Sequence, residues 1–195
     1  MLSSKQQFFK RFFDVFVSFF CLLIFFIPMV FMVIVSRIQT NLPGLFIQKR
    51  VGKNGKYFYM FKIRTLKENK NHSLEELSSK STGFGKILRK SKLDELPQLL
   101  NVLKGDMSLV GPRPDLPGYA DKLQGEDRII LSVRPGITGP ATLKYKNEEE
   151  ILKLQENPQK YNDEVIWPDK VKINKAYVEN WGFIKDIKYI YQSVF

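Results

Sequence analysis

The longest apolar run in the chain is VFVSFFCLLIFFIPMVFMVIV, from Val15 to Val35, and it holds no charge. At helical rise it reaches ~30 Å, about the hydrocarbon core of a bilayer. It is too long for the core of a secretory signal and ends in the polar SRIQTN, so it reads as a retained anchor. Lys5, Lys10 and Arg11 precede it, and Arg37, Lys49 and Arg50 follow it. Cations on both flanks give no orientation by charge bias. Pro28 removes a backbone donor just past the middle of the run. Two topologies follow: a kinked single span, or a re-entrant helix broken near Pro28 whose ends return to one face. Only the second accounts for both cationic flanks. Asp14 and Ser18 share a helical face; Asp14 pairs with Lys10 or Arg11, or marks the helix start.

Beyond the anchor the period changes. Residues 45–65, LFIQKRVGKNGKYFYMFKIRT, alternate roughly by two around Asn54-Gly55, the signal of a β-hairpin with a two-residue turn. Lys62 and Arg64 end the second arm at a spacing that puts both on one strand face, either gripping a phosphate or facing solvent. Residues 67–82 are polar and read as a loop with a short helix. Leu96, Leu99, Leu100 and Leu103 return to helical spacing, with Pro97 suited to the first turn and Gly105 a natural stop. The last stretch, YVENWGFIKDIKYIYQSVF, predicts an amphipathic helix that packs on the core or lies at a membrane interface. Before it, Asn147–Asp169 reads as helix plus loop, with Trp167-Pro168 as a break. The pattern predicts an α-rich α+β fold: a membrane segment over 1–36 and one domain over 37–195, which the resemblance described below implies is cytoplasmic.

Charge sharpens the picture. The 195 residues carry a formal +11. Between Arg37 and Lys92, fourteen Lys and Arg face three acids, so the excess sits in that segment. Such a field suits lipid headgroups, nucleic acid or a phosphorylated substrate, or is simply a solvated surface. The apolar N-terminus and the lack of any base-reading motif argue against nucleic acid. One cysteine, Cys21, and one histidine, His72, exclude an intrachain disulfide framework and make thiolate-zinc, histidine-rich metal and Ser-His-Asp chemistry poor fits. His72 reads as a surface-loop residue. Neither a phosphate-cradling Gly-x-x-x-x-Gly-Lys loop nor an Asp-x-Asp pair is present.

The candidate chemistry lies in SKLDELPQLLNVLKGDMSLVGPRP. Asp94 and Glu95 fall at or just before a helix N-terminus, where exposed amides favour ionised carboxylates and bind phosphates. Read blandly they are capping acids. Read chemically, a carboxylate held beside a phosphate site is a nucleophile for phosphorus. Downstream, Pro112 and Pro114 stiffen the turn around Arg113, pre-aiming its fork for phosphate. RPGITGP supplies a second turn cluster.

The combination of KRFFDVFVS, FKIRT, LRKSKLDELPQLLNVLKGDMSLVGPRP and RPGITG resembles the bacterial sugar transferases, the monotopic phosphoglycosyl transferases of surface-polysaccharide and glycoprotein assembly. The likeness runs from about Lys10 to Gly139. It implies transfer of a sugar 1-phosphate from a nucleotide diphosphate sugar, usually UDP-linked, to undecaprenyl phosphate, with release of UMP. By analogy Asp94 is the catalytic nucleophile and a ligand of Mg²⁺, Glu95 assists, and Arg113 holds phosphate. Arg89, Lys62 and Arg64 are carried over as further phosphate or headgroup contacts. The resemblance also implies a re-entrant helix broken near Pro28, on the cytoplasmic face of the bacterial inner membrane, and leaves homo-oligomerisation open. The chain departs from the family pattern at Ile27, often Ser, and over Pro140–Asn147. There PATLKYKN replaces a segment with a glycine and an arginine, so the sugar is not named. Two rivals stand: a non-catalytic basic module at the membrane surface, and direct transfer in a ternary complex.

Overall fold

The computed structural model describes residues 2–67 and 80–195. His72 and most of the polar 67–82 stretch lie outside the described residues.

Helix α1 spans Ser4–Thr40. Ser3 and Gln6 close a capping box at its start, and Asn41 ends it in the left-handed conformation. The helix is not broken at Pro28, contrary to the sequence expectation; Pro28 lies inside one continuous helix. Proline removes one donor, and the packing of Met29 and Met32 against the core keeps the turns beyond it in helical register. The helix therefore carries two faces along its length. One is buried and holds Lys10, Asp14, Ser18, Leu22, Met29, Met32, Ser36 and Thr40. The other exposes Phe8, Phe12, Phe16, Leu23, Ile24, Ile27, Phe31, Ile34 and Ile38.

Strands β1 (Leu45–Val51) and β2 (Tyr57–Ile63) form the expected antiparallel hairpin, with Gln48 opposite Met60. Its connection is longer than two residues. Gly52 and Lys56 close it through an N–H···O bond of 2.8 Å, and both Asn54 and Gly55 adopt positive φ. Met60 and Ile63 enter the core while Tyr57 and Tyr59 face out.

Helix α2 (Gly83–Ser91) starts at Thr82, whose hydroxyl accepts the Gly85 N–H at 2.8 Å. A left-handed Lys92 stops it, and a single 3₁₀ turn, Leu93–Glu95, leads through Leu96 and Pro97 into α3 (Gln98–Lys104). Gly105, at φ 93°, ends α3 where the sequence placed its stop.

Strand β3 (Ser108–Val110) pairs in parallel with β4 (Gly136–Thr138). The turn cluster after β3 touches the start of β4, inside the second cluster, backbone to backbone. A Cβ on Gly136 would stand 2.1 Å from the Gly111 nitrogen, so only glycine fits there. Short helices α4 (Pro140–Lys144), α5 (Glu148–Lys153) and α6 (Pro158–Tyr161) follow. A π-helical turn over Asn162–Ile166 runs into α7 (Trp167–Glu179), and α8 (Phe183–Val194) closes the chain. Trp167-Pro168 thus opens a helix rather than breaking one, as suits proline in a first turn.

The main core joins Leu22, Met29 and Met32 of α1 to Met60, Ile63, Leu88, Leu99, Val102, Met107, Val110, Tyr177 and Val178. Polar contacts fix α1 to the rest of the chain near both ends. Arg11 donates to the carbonyls of Val102 and Leu103 at 2.6 and 3.0 Å. Lys10 meets Asp186 of α8 at 2.5 Å, and Asp14 accepts the Leu109 N–H at 3.0 Å. Asp14 therefore neither starts the helix nor pairs with its own neighbours by hydrogen bond. Toward the other end, the Ser36 hydroxyl donates to the Arg64 carbonyl at 2.5 Å. Helix α8 buries Asp186 and leaves Ile184, Tyr191 and Val194 exposed; its Phe183 ring meets Phe13 of α1 edge-on at 5.1 Å.

Candidate active site

The turn between α2 and α3 presents Asp94 and Glu95 side by side, with opposite surroundings. One Glu95 oxygen accepts from Lys62 Nζ at 2.9 Å and also from the Arg113 guanidinium. Burial alone would raise this carboxyl; the charges and hydrogen bonds of Arg113 and Lys62 outweigh it and hold it at about 2. Glu95 is thus ionised and committed. It clamps a lysine from β2 and the arginine of the Pro-Arg-Pro turn against one another.

The Asp94 carboxylate makes no hydrogen bond or ion pair with the described residues. Burial, with the neighbouring Glu95 charge adding to it, pushes the carboxyl up to about 6. Lys62, Arg89 and Arg113 act against that rise through space. The result is a carboxylate that is ionised near neutrality and carries unshared lone pairs in a field of three cations. Such a group is ready to attack an electrophilic phosphorus whose oxygens those cations hold.

The six residues singled out from sequence divide clearly. Asp94, Glu95, Lys62 and Arg113 converge. Arg89, in the last turn of α2, stands at the edge, within reach of Asp94 by charge but paired with Glu149 of α5. Arg64 is not part of the cluster. Strand β2 ends at Ile63, so the alternation that put Arg64 beside Lys62 stops one residue short. Its Nε donates to the Pro43 carbonyl at 2.7 Å, and its guanidinium lies over the Phe46 ring at 5.2 Å. Arg64 secures the base of the hairpin near the end of α1.

A second group was missed by sequence reasoning: Arg50, Asp115, Glu148 and Lys170. Arg50 donates to the Pro114 carbonyl at 3.1 Å and to Gln48 at 2.6 Å, bracing the Pro-Arg-Pro turn from β1. Its buried Nε has no hydrogen-bond partner among the described residues. Burial and the Arg113 charge lower its ionisation to about 10. Burial pushes Asp115 up to about 7, against the opposing charges of Lys170, Arg50 and Arg113. Lys170 also donates to both Glu148 oxygens at 2.7 Å. These residues come from four separated segments, and no local spacing joins them. A weak sign was Asp115 itself, next to Pro114.

Among the described residues no three or more His, Cys, Asp or Glu converge as a ready metal cage. Mg²⁺ needs no such cage when phosphate oxygens complete its shell, because it keeps waters and takes one or two protein carboxylates. With Glu95 committed to two cations, Asp94 is the carboxylate in this cluster that fits that role.

The comparisons agree with one another. A model of the bacterial sugar transferase family matches residues 5–195. The chain is similar to the uncharacterized sugar transferase EpsL of Bacillus subtilis, at 35% identity over 95% of this chain and 85% of the relative. It is also 30% identical to an undecaprenyl-phosphate galactose phosphotransferase of Salmonella typhimurium, over 97% of this chain but 40% of that protein. A UDP-glucose:undecaprenyl-phosphate glucose-1-phosphate transferase of Klebsiella pneumoniae is 32% identical over 100% of this chain and 41% of its own length. Against these last two, the chain spans about two fifths of the relative.

Proposed function

The chain belongs to the bacterial sugar transferase family, and from that premise we propose that it carries a sugar 1-phosphate from a nucleotide diphosphate sugar to undecaprenyl phosphate. It is a phosphoglycosyl transferase by this reading, and Asp94 is its nucleophile. The observation that carries the assignment is the contrast within one turn: Glu95 paired through one oxygen with Lys62 and Arg113, Asp94 unshared and surrounded by cations.

An Asp94 oxygen attacks the phosphorus that bears the sugar. The bond from that phosphorus to the bridging oxygen breaks, and the nucleoside monophosphate leaves with that oxygen. An aspartyl phosphosugar remains. An oxygen of the lipid phosphate then attacks the same phosphorus, the acyl phosphate bond breaks, and the Asp94 carboxylate is restored. The product is a polyprenyl diphosphate sugar, and no net proton transfer is needed. Lys62 and Arg113 hold phosphate oxygens as negative charge shifts onto the leaving group, with Glu95 fixing their spacing. Arg89 gives a further cation once it releases Glu149. Mg²⁺ bound to the diphosphate, with Asp94 as its protein ligand, would neutralise charge on the donor. The donor names of the relatives support a UDP-linked sugar and UMP as leaving group.

The same reading places the enzyme on the cytoplasmic face of the bacterial inner membrane, entering one leaflet. The support is α1. Its outer face is apolar from Phe8 to Ile38, while contacts near both ends join it to a single folded body. A helix crossing the bilayer would put those two ends on opposite sides of ~30 Å of hydrocarbon.

The test is nucleotide release by the full chain in nanodiscs with Mg²⁺, undecaprenyl phosphate and a panel of UDP-sugars, beside Asp94→Asn. Release that depends on lipid phosphate and is lost in the variant supports the assignment. A radiolabelled protein formed from donor without lipid acceptor separates the covalent route from direct ternary transfer. Equal release by variant and wild type removes Asp94 from the chemistry.

A further inference from the structure

The apolar run LLNVL in α3 is interrupted by Asn101, and that interruption has a structural reason. Asn101 is fully buried, at 0% exposure. A buried asparagine in a helix costs stability unless its amide is satisfied. Here it is. Its Oδ1 accepts the Phe61 N–H at 3.0 Å, and its Nδ2 donates to the Tyr59 carbonyl at 2.7 Å and to Asp106 at 3.2 Å. The first two are backbone groups of β2 on either side of Met60. The carboxamide serves them as the peptide group of a neighbouring strand would, on a sheet that has two strands among the described residues. The Asn101 carbonyl meanwhile accepts the N–H groups of Gly105, Asp106 and Met107 at 3.1, 3.0 and 3.2 Å, gathering the turn that leads into β3.

Asn101 ties its helix to two segments, and a third adjoins the start of that helix. Strand β2 carries Lys62, next to Phe61. The 3₁₀ turn Leu93–Glu95, which leads into α3 and packs on β2, carries Asp94 and Glu95. Strand β3 runs on through Gly111 to Arg113. We infer that Asn101 is a positioning residue for the transfer reaction, holding the lysine-bearing strand in register with the carboxylate-bearing turn. It touches neither substrate nor reacting atoms and acts through Lys62. The inference deepens the transferase reading and rests on it.

Two readouts decide it, and one is independent of turnover. The first is the affinity of the full chain for UDP, a diphosphate probe, by calorimetry, with and without Asn101→Ala in wild-type and Lys62→Met backgrounds. If Asn101 places Lys62, its loss weakens UDP binding only while Lys62 is present. Unchanged affinity, or an equal loss in the Lys62→Met background, overturns the inference. The second is a double-mutant cycle in the nucleotide-release assay with Asn101→Ala and Lys62→Met. A small misplacement of a phosphate-holding cation costs up to about 10²-fold in kcat. The double variant is expected to be no slower than the slower single one, because both act through the same group. Losses that multiply overturn it. Asn101→Asp, which keeps the size and the acceptor for Phe61 but loses the donor to Tyr59, enters both experiments if the alanine variant does not fold. A silent wild type would count against the transferase reading; the UDP-binding measurement would still judge Asn101.

Discussion

Two acids in this protein, one buried and one half-buried, meet opposite conditions. Asp186, under α1, is 2% exposed and saturated. Lys10 at 2.5 Å and Trp181 at 3.0 Å donate to one of its oxygens, and the Tyr177 hydroxyl at 2.8 Å to the other. Asp94, in the turn before α3, has three cations near it and a hydrogen bond from none. The first cluster spends its polar groups on one another and binds α1, α7 and α8 together. The second leaves its key group unspent. A satisfied buried charge is a structural tie; an unsatisfied one in a cationic field is a reagent held in readiness.

The widest separation between the two is expected in Asp94→Asn. Nucleotide release should fall by at least ~10³-fold, while the melting temperature at neutral pH stays equal or rises, since the variant no longer confines a reluctant charge. Asp186→Ala should do the reverse in kind. Removing one partner of a buried pair typically costs about 3–5 kcal/mol, read by denaturant unfolding in detergent, and the acidic limb of the rate profile should keep its midpoint.

The pH dependence sharpens the comparison within the active-site turn. Asp94 rises from 3.8 to about 6 on folding, so its contribution to stability is full below 3.8 and is lost as pH climbs through about 6. Glu95 falls from 4.5 to about 2, so its contribution is present above 4.5 and is lost as pH drops toward 2. The stability gap between Glu95→Gln and wild type should therefore close between those limits. The gain in Asp94→Asn should instead open between about pH 4 and 6. The acidic limb of activity should fall near 6, as Asp94 takes up a proton. The smallest effect belongs to the exposed rim. Lys144→Ala, which breaks a solvent-screened pair with Asp169, should leave both stability and turnover close to wild type.

Much of the Asp94–Glu95 turn's geometry was legible because its signals are local. Pro97 and Gly105 bound α3, and the Asp94-Glu95 placement follows from them. The Asn54-Gly55 connection was readable for the same reason, though not its length. What escaped was set at a distance. Arg50 and Asp115 belong to one cluster only because β1 lies against the Pro-Arg-Pro turn, and Arg64 leaves its expected face because β2 ends one residue early. Pro28 misled differently. Its donor is lost as expected, but packing on both flanks keeps the helix whole, and propensity has no view of packing. Asn101 was visible as a polar residue in an apolar run, yet its partners are backbone groups forty residues upstream.

The glycine contact between the two turn clusters has a bearing on how such a chain can diversify. Any side chain at Gly136 would push the Gly111 backbone away, and Arg113 two residues along would move with it. That junction is a dead end for variation. Novelty in what the enzyme accepts must instead enter through stretches that do not brace Arg113. Pro140–Asn147, immediately past the contact, is the nearest such stretch in the chain.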